Sequence, residues 1–273
     1  MPPAEPAPTF DLQSHSTHSD GSLPPADVVE RAADAGVTLF ALTDHDTVDG
    51  VPEALETARV KNIELVPAVE LSSVHAEHED LHILGYGLDH TDATLLATLE
   101  DFRADRIRRI HAMADNLREL GFTIPPIDHP SPGRPHLARA LPMTADEAFN
   151  RYLVPGTPTY VARSRPTVQE AIAVIHAAGG LAVWAHPYWD VDQAEQTLRE
   201  FKAQGLDGVE AFYVTHTEEQ TRHLHALARA LGLITTGSTD FHGPEHPRFN
   251  RFRGFELHGL EPHLGALRRV ARP

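Results

Sequence analysis

Short apolar segments alternate along the chain with longer segments whose apolar residues recur at helical spacing. Seven apolar segments have the length and composition of buried strands: TFDLQ, VTLFALT, IELVPAVELS, LHILGYGL, LAVWAHP, LDGVEAFY and LITTGSTDFHG. LHILGYGL is expected at an antiparallel or irregular position, FRGFEL is a further candidate strand, and PHLGALRRVA is a candidate final helix. Most of the strands are followed by a predicted helix, such as PPADVVERAADAG. This alternation predicts a parallel sheet, and the number of strands favours a barrel.

The alternation is interrupted between residues 91 and 165. This stretch opens with a long helical segment, DATLLATLEDFRADRIRRIHAMADNLRELG, and then becomes irregular and rich in proline. We therefore predict an α/β barrel domain built from residues 9–90 and 166–273. Residues 91–165 are predicted to form an inserted helical subdomain that acts as a substrate lid.

Composition limits the class of protein. Hydrophobic residues make up 41% and charged residues 23% of the 273 residues, as in ordinary globular proteins. No apolar run approaches the length of a membrane span, and the absence of cysteine excludes disulfides and thiolate metal ligands. The opening MPPAEPAPT has neither the basic nor the apolar region of a signal peptide. We expect a cytoplasmic protein that does not contact a membrane.

Charge is unevenly distributed along the chain. The formal net charge of −16 argues against the binding of long nucleic acids through a basic surface. Residues 101–170 nevertheless contain 10 basic and 8 acidic residues. An acidic body with an arginine-bearing middle segment suits a small anionic substrate, and a short RNA would also fit. The composition leaves the oligomeric state open.

Histidine and carboxylate side chains follow six of the predicted strands. In a β/α barrel the loops at the carboxyl ends of the strands converge on one mouth. A lone histidine there is usually structural, but six such positions predict a metal cluster. A set of His and carboxylate ligands without Cys suits Mn²⁺, Fe²⁺ or Zn²⁺, whereas Mg²⁺ prefers oxygen alone. The candidates are Gln13, His15 and Asp20; Asp44, His45 and Asp46; Glu70; His82; His186; and Asp240 and His242.

Seven motifs along the chain resemble those of the PHP (polymerase and histidinol phosphatase) superfamily. In order they are DLQSHSTHSDG, ALTDHDTVDG, PAVELS, HILGYG, GRPH at 133–136, AHP and GSTDFHG. Within the superfamily the chain is similar to stand-alone metal-dependent phosphoesterases, which include nucleoside 3′,5′-bisphosphate phosphatases and a related 5′→3′ exoribonuclease. The resemblance spans roughly residues 9–260. It implies a distorted (β/α)₇ TIM-like barrel with an inserted helical domain, in agreement with the pattern of elements.

The resemblance also implies a set of ligands for two or three divalent metal ions. Mn²⁺ is the expected ion, with Fe²⁺, Zn²⁺ and Mg²⁺ as alternatives. Carried over position by position, the first ion is held by Gln13, His15, Glu70 and Asp240. The second shares Glu70 and is also held by His82 and His186, and the third is held by Asp20, His45 and His242.

Gln13 departs from the family pattern, which has His-x-His at this point. A glutamine carbonyl is a harder and weaker ligand than imidazole, so it would favour Mn²⁺, Fe²⁺ or Mg²⁺ over Zn²⁺ in the first site. The alternative is that Gln13 lies outside the ligand set and water replaces the lost imidazole.

Phosphate ester hydrolysis needs a nucleophile at neutral pH and compensation for the charge of the phosphoryl oxygens. Two close metal ions sharing Glu70 would supply a bridging hydroxide, and the cluster would neutralise oxygen charge. We expect Glu70 and Asp240 to be catalytic. His216, which follows the strand EAFYVT, is a candidate proton donor, although it is also placed to begin a helix.

Several other residues are candidates for substrate contact or support. Arg134, assisted by His136, is predicted to bind a second, non-reacting phosphate. Asp44 is expected to act in the substrate site or to orient an imidazole, and Asp46 to orient an imidazole or cap a helix. Arg106, Arg108 and Arg109 are expected to form a solvated helix face, with phosphate contact as the alternative, and Arg163 and Arg165 are intermediate between the two.

The predicted function is metal-dependent release of phosphate from a small nucleotide, in particular a nucleoside 3′,5′-bisphosphate, by a metal-bridging hydroxide. The nearest alternative is a 5′→3′ exoribonuclease acting on short RNA oligonucleotides. Histidinol phosphate hydrolysis fits the subgroup motifs less well. A non-catalytic metal or nucleotide sensor is the alternative from another class, and Gln13 is the feature that favours it.

Overall fold

The computed structural model describes residues 8–76, 78–163, 166–189, 193–265 and 267. Within these residues seven strands form one mixed sheet, in which each strand pairs with the next along the chain. The strands are β1 (Phe10–Asp11), β2 (Leu39–Leu42), β3 (Glu64–His75), β4 (His78–Tyr86), β5 (Leu181–Trp184), β6 (Gly208–Tyr213) and β7 (Ile234–Ser238).

The sheet is nearly closed into a barrel. Beyond the end of β1, Leu12 N donates a hydrogen bond to Gly237 O on β7 at 3.1 Å, and Ser14 pairs with Phe241 in parallel orientation. The first and last strands are therefore neighbours. The predicted distorted (β/α)₇ barrel is confirmed.

Strand β4 is antiparallel to both of its neighbours, and the other pairs are parallel. A parallel partner for β3 would need a crossover of a dozen or more residues, whereas β4 begins three residues after β3 ends. The antiparallel position expected for LHILGYGL is confirmed. As a result, the amino-terminal half of β4 lies beside the carboxyl end of β3.

Helices cover the outside of the barrel and form the middle segment. They are α1 (Pro25–Asp34), α2 (Val51–Lys61), α3 (Ala93–Glu119), α4 (Arg134–Ala140), α5 (Ala145–Ala148), α6 (Val168–Ala177), α7 (Ala194–Ala203) and α8 (Glu218–Leu231). Thr167 and Thr217 cap the amino-terminal ends of α6 and α8. Each threonine side chain accepts a hydrogen bond from the backbone N–H of the residue three positions later, and the side chain of that later residue accepts one from the threonine N–H. No described helix is both long and apolar enough to cross a bilayer.

Apolar side chains form separate clusters in the barrel and in the middle segment. Leu95, Leu99 and Phe102 in the first half of α3 join the barrel core. The second half of α3 packs with α4 and the following turns in a cluster of its own, whose fully buried members include Ile110, Met113, Ala114, Leu117, Leu137, Ala148 and Leu153. This arrangement supports an inserted helical unit, while its proposed boundaries at 91 and 165 stay a prediction.

The chain after β7 differs from the expected strand. FRGFEL contains no strand; instead this segment is tied to β1, because Arg253 N donates to Asp11 Oδ2 at 2.9 Å. Since β1 already pairs with β7, the sheet does not take in a further strand there. Most of the predicted final helix, PHLGALRRVA, lies outside the described residues.

Candidate metal centre

The loops that follow the strands meet at one end of the barrel, around a pocket of about 980 Å³. Side chains predicted as metal ligands reach this pocket from six strands. Those lining it are Asp20, His45, Glu70, His82, His186, Asp240 and His242. The structure therefore brings most of the predicted ligands together in one place.

Glu70 lies at the centre of these side chains. Its Oε2 is 3.0 Å from His15 Nε2 and 3.5 Å from His45 Nδ1. Its Oε1 is 2.9 Å from His82 Nδ1 and 3.3 Å from His186 Nε2. The carboxylate is fully buried. Its two oxygens contact histidines that follow or lie on four other strands.

Asp20 and Asp240 complete the cluster. His15 Nε2 is 3.0 Å from Asp240 Oδ1, and Asp20 lies 3.4 Å from His242 Nε2 and 3.8 Å from His45 Nε2. Three overlapping groups each bring their potential ligand atoms within 4.8 Å of one another: His15, Glu70 and Asp240; His45, Glu70 and His82; and His15, Asp20, His45 and His242. The assignment of each residue to a particular ion stays a prediction.

Unpaired atoms in the cluster fit divalent cations. Five buried atoms there have no hydrogen-bond partner among the described residues: His15 Nε2, Asp20 Oδ1, His45 Nδ1, Glu70 Oε2 and Asp240 Oδ1. Buried polar atoms without partners are costly unless something binds them. Imidazole nitrogens and carboxylate oxygens are common ligands of Zn²⁺, Mn²⁺ and Fe²⁺. The cluster could therefore hold metal.

The carboxylates of the cluster stay ionised although they are buried. Burial opposes ionisation, yet nearby histidines hold the pKa of Glu70 and of Asp20 well below the usual range and lower the pKa of Asp240 to about 2. Burial likewise opposes protonation of His186, but its hydrogen bond to Glu70 raises the pKa of His186 to about 9. Buried carboxylates that stay ionised at neutral pH attract cations.

A chain of hydrogen bonds fixes the ring of His15. Asp44 accepts hydrogen bonds from Ser16 N at 2.8 Å, Ser16 Oγ at 2.6 Å and Ser19 Oγ at 2.6 Å. Ser19 Oγ lies 3.3 Å from His15 Nδ1, so the Nε2 atom of His15 is left to face the cluster. Both oxygens of Asp44 are engaged in this loop, which supports a role in orienting His15 rather than in contacting substrate.

Gln13 faces Glu70 with its amide nitrogen. Gln13 Nε2 donates a hydrogen bond to Glu70 Oε1 at 3.0 Å, and Gln13 Oε1 lies 3.4 Å from Ser238 Oγ on the other side. An amide N–H group has no lone pair for a cation, so this orientation supports the alternative in which Gln13 lies outside the ligand set. Coordination by Gln13 would require its carbonyl oxygen to turn toward the cluster.

Two buried polar side chains on β6 support the ligands. Tyr213 Oη donates to Asp240 Oδ2 at 2.9 Å. Glu210 accepts hydrogen bonds from Ser238 Oγ at 2.6 Å and from His186 N at 3.0 Å, and burial raises the pKa of Glu210 to about 8. Sequence reasoning missed both residues. The signal was a glutamate within GVEAFY, an otherwise apolar strand.

Three buried arginines of the middle segment line the pocket: Arg106, Arg109 and Arg163. We call these three residues the arginine wall. The expectation that Arg106 and Arg109 lie on a solvated helix face is wrong, because their exposed fractions are 5% and 6%. The Arg108 side chain between them is 68% exposed, as expected. Arg163 is also buried, with an exposed fraction of 5%, and Arg165 lies outside the described residues.

The arginine wall is only partly neutralised. Arg106 Nε donates to Asp46 Oδ2 at 2.7 Å, and Arg163 Nη1 lies 3.9 Å from the same oxygen. Arg109 Nη2 and the Nε and Nη1 atoms of Arg163 are buried without a hydrogen-bond partner among the described residues. N–H groups of this kind, at the edge of a pocket, can bind an anion.

Three residues of the site have strained backbone conformations. Asp46, His186 and Asp240 have φ values of 54°, 31° and 54°, in a region that non-glycine residues rarely adopt. Asp46 is held there by Ser72 N at 3.0 Å and by Arg106. Of the roles expected for Asp46, helix capping is wrong, because α2 begins five residues later with Gly50 at its cap.

Arg134 lines the same pocket and already has partners. Arg134 Nη2 forms an ion pair with Asp80, and Nη1 donates to Leu153 O at 3.3 Å. Its guanidinium also lies over the ring of Phe149, 5.4 Å from the centroid. Arg134 thus borders the space in which a substrate phosphate would bind, and phosphate contact stays a prediction.

His136 and His216 make their contacts away from the cluster. His136 Nδ1 accepts a hydrogen bond from Gly133 N at 3.0 Å, at the start of α4. His216 Nδ1 donates to Ala211 O at 3.2 Å, and its ring packs against Tyr213. Burial lowers the pKa of both rings to about 4, so both are neutral at pH 7. His216 Nε2 then carries no proton to donate, and the geometry supports a packing role.

Comparison with known proteins places the chain in a family. Residues 11–252 match the PHP domain family. The chain belongs to the PHP family. It is 33% identical over 250 residues to a 3′,5′-nucleoside bisphosphate phosphatase of Chromobacterium violaceum, covering 86% of this chain and 87% of that protein. It is 34% identical over 252 residues to a 5′–3′ exoribonuclease of Haemophilus influenzae, covering 86% and 90%.

A solved structure has the same fold. An amidohydrolase from Chromobacterium violaceum, with bound sulfate and no metal, superimposes with a TM-score of 0.86 and 29% identity over 96% of this chain and 97% of that one. The predicted PHP membership and the hydrolysis of phosphoesters are confirmed. The PHP cluster of histidines and carboxylates could hold metal, while the identity and number of ions stay predictions.

Proposed function

We propose that this enzyme releases inorganic phosphate from a nucleoside 3′,5′-bisphosphate. The observation that carries the proposal is one pocket that holds both the metal-ligand cluster and the arginine wall. A cluster alone would suit any phosphomonoester. A second group of cationic donors in the same pocket favours a substrate with two phosphates.

We assign two or three divalent ions to the cluster, with Mn²⁺ expected. His15, Glu70 and Asp240 would hold one ion, and the overlapping groups around Glu70 and Asp20 would hold the others. Such ions would offset charge on the phosphoryl oxygens and lower the pKa of a nearby water molecule. Glu70 and Asp240 are the proposed catalytic residues, because their carboxylates are at once buried, ionised and directed at the pocket.

Residues around the ligands hold them in position. Asp44 and Ser19 fix the orientation of the His15 ring, and Tyr213 fixes one oxygen of Asp240 by donating a hydrogen bond to it. These contacts limit the movement of the ligands, so the cluster is largely formed before substrate binds.

The arginine wall is proposed to bind the phosphate that does not react. The buried unpaired N–H groups of Arg109 and Arg163 would donate to its oxygens, and Arg134 would complete the positive surface beside them. Asp46 and Asp80 balance only part of this charge. A dianionic phosphate would supply the missing acceptors.

The second candidate is exonuclease activity on short RNA with a 5′-phosphate. It is favoured by 34% identity to an exoribonuclease over most of the chain. The formal net charge of −16 disfavours long polyanions and is compatible with short ones. Cytoplasmic location is part of the proposal.

The test compares substrates and two neighbouring arginines. Phosphate release by Mn²⁺-loaded protein is measured with adenosine 3′,5′-bisphosphate, with each adenosine monophosphate and with a 5′-phosphorylated oligoribonucleotide. We expect the bisphosphate to have the highest kcat/KM. Arg109→Lys should lower its advantage over the monophosphates by roughly 10-fold or more, since a charge-assisted hydrogen bond is worth about 1.5–3 kcal/mol. Arg108→Lys is the control, because Arg108 is exposed on the same helix.

Equal or faster hydrolysis of the monophosphates would overturn the proposal. Faster release of mononucleotides from the oligonucleotide would establish the exonuclease instead. An equal effect of the two arginine variants would remove the arginine wall from substrate binding.

A further inference from the structure

An exposed tryptophan borders the pocket. Four large apolar side chains are exposed in the described part of the chain: Val60, Leu96, Leu120 and Trp189. Of these, Trp189 alone lines the pocket that holds the metal-ligand cluster. Its indole is 47% exposed, which leaves a flat apolar surface at the mouth of an otherwise polar site.

The position of Trp189 is set by the loop that also carries a proposed metal ligand. Trp189 N donates a hydrogen bond to His186 O at 2.9 Å, and the two rings are 6.1 Å apart between centroids. The indole centroid is 5.8 Å from that of Phe249 and 6.4 Å from that of Tyr213. These rings pack against the indole, which nevertheless stays 47% exposed where it lines the pocket.

A cation lies over the ring of the same indole. The guanidinium carbon of the exposed Arg248 is 5.7 Å from the Trp189 ring centroid, and Arg248 also lines the pocket. An indole flanked by a guanidinium is a surface on which a planar heteroaromatic ring stacks well. A simple sugar phosphate has no such ring and would leave this surface in water.

Trp189 lies near the metal-ligand cluster. Trp189 is one ring contact away from His186, and His186 in turn contacts Glu70 at 3.3 Å. A nucleotide whose phosphate lies at the cluster could extend its ribose past His186 and bring its base toward the indole. The arginine wall belongs to the middle segment, whereas Trp189 and Arg248 follow barrel strands, so two different parts of the chain supply the two surfaces of this pocket.

We propose that Trp189 is the stacking platform for the base of the substrate and so a specificity-determining residue. The proposal rests on the proposed function, because it takes the substrate to be a nucleotide. It adds a base-binding surface to the cluster and the arginine wall. The same surface would make the enzyme prefer nucleotides to phosphorylated sugars of equal charge.

Binding can be tested without turnover. Adenosine 5′-monophosphate and ribose 5-phosphate are titrated into metal-loaded protein, with affinity measured by calorimetry and stacking measured by tryptophan fluorescence. Trp184 and Trp189 are the two tryptophans, and Trp184 is buried, with an exposed fraction of 1%. We expect adenosine 5′-monophosphate, but not ribose 5-phosphate, to quench the emission of Trp189.

Three variants separate stacking from a structural role. Trp189→Ala should weaken adenosine 5′-monophosphate binding by roughly 10-fold or more, as expected for loss of one stacked base. In the Trp189→Ala protein, the affinity for adenosine 5′-monophosphate should approach the affinity for ribose 5-phosphate. Trp189→Phe should recover much of the affinity while removing the quenching. The exposed Leu120→Ala should change neither ratio nor quenching.

The outcomes distinguish the two proposals. Binding of adenosine 5′-monophosphate without quenching, an equal loss for both ligands in Trp189→Ala, or no binding to the wild type would each overturn the base platform. If the quenching and the affinity ratio behave as expected but nucleoside bisphosphate is not hydrolysed, the base platform stands and the proposed phosphatase reaction falls.

Discussion

Glu70 contacts five other side chains at the site, which is more than expected for a carboxylate that binds one metal ion. Its neighbours are Gln13, His15, His45, His82 and His186, at 2.9–3.5 Å. A carboxylate with both oxygens shared in this way can bridge two cations. The low pKa of Glu70, held down by its histidines against burial, keeps it charged for that role.

We predict that Glu70→Gln loses more than about 100-fold in kcat for phosphoester hydrolysis, since a neutral amide neither bridges cations nor balances their charge. Metal content per chain should fall with it. The control is Glu64→Gln at the exposed start of the same strand. A Glu70→Gln enzyme with normal metal content and normal kcat would contradict the role of Glu70.

Sequence could predict which residues approach the cluster better than how each one is used. His15, Glu70 and Asp240 follow from their positions at strand ends. The contacts of Gln13, His136 and His216 did not follow, because whether a polar atom faces a cluster or a backbone group depends on side-chain rotation. That information is in the packing of neighbouring elements.

Helix α3 carries two arginines on its buried face. Its buried residues Leu95, Leu99 and Phe102 continue at the same three- and four-residue spacing to Arg106 and Arg109. Both arginines therefore lie on the buried stripe, and Arg108 lies off it. This spacing was readable in the sequence, but arginine is rarely buried unless it is paired, and its partner Asp46 is 60 residues away from Arg106.

The start of α4 provides a pH-dependent prediction. His136 Nδ1 accepts the hydrogen bond of Gly133 N, and burial together with His129 lowers the pKa of His136 from 6.5 to about 4. Between these values the unfolded chain takes up a proton that the folded protein does not. The contribution of His136 to stability is therefore present near pH 7 and is lost as the pH falls from about 6.5 to 4.

Urea unfolding at pH 7 and pH 5 measures this effect. His136→Gln keeps a side-chain acceptor but does not titrate, so the loss of unfolding free energy from pH 7 to pH 5 should be smaller than in the wild type by about 1 kcal/mol. The same loss in both proteins would show that the pKa of His136 is not lowered by folding.

At the scale of the whole molecule, barrel closure places the cluster. Residues between positions 13 and 242 meet because the strands pair in chain order and β1 returns to β7. The regular strand–helix alternation was enough to predict this. It could not predict how the middle segment would sit over the mouth, because that depends on which face of α3 docks against the barrel. The meeting of Arg106, Arg109 and Arg163 in one pocket wall was accordingly visible only in the structure.

The central claim is that the cluster holds divalent ions that this chain needs to release phosphate from a nucleoside 3′,5′-bisphosphate. It is tested most directly by removing metal with a chelator and then titrating Mn²⁺ back. Phosphate release from adenosine 3′,5′-bisphosphate and metal content per chain are measured on the same samples. We predict that activity is lost with the metal and returns as two or three ions bind per chain. Full activity in the metal-free protein, or no phosphate release from the fully loaded protein, would contradict the claim.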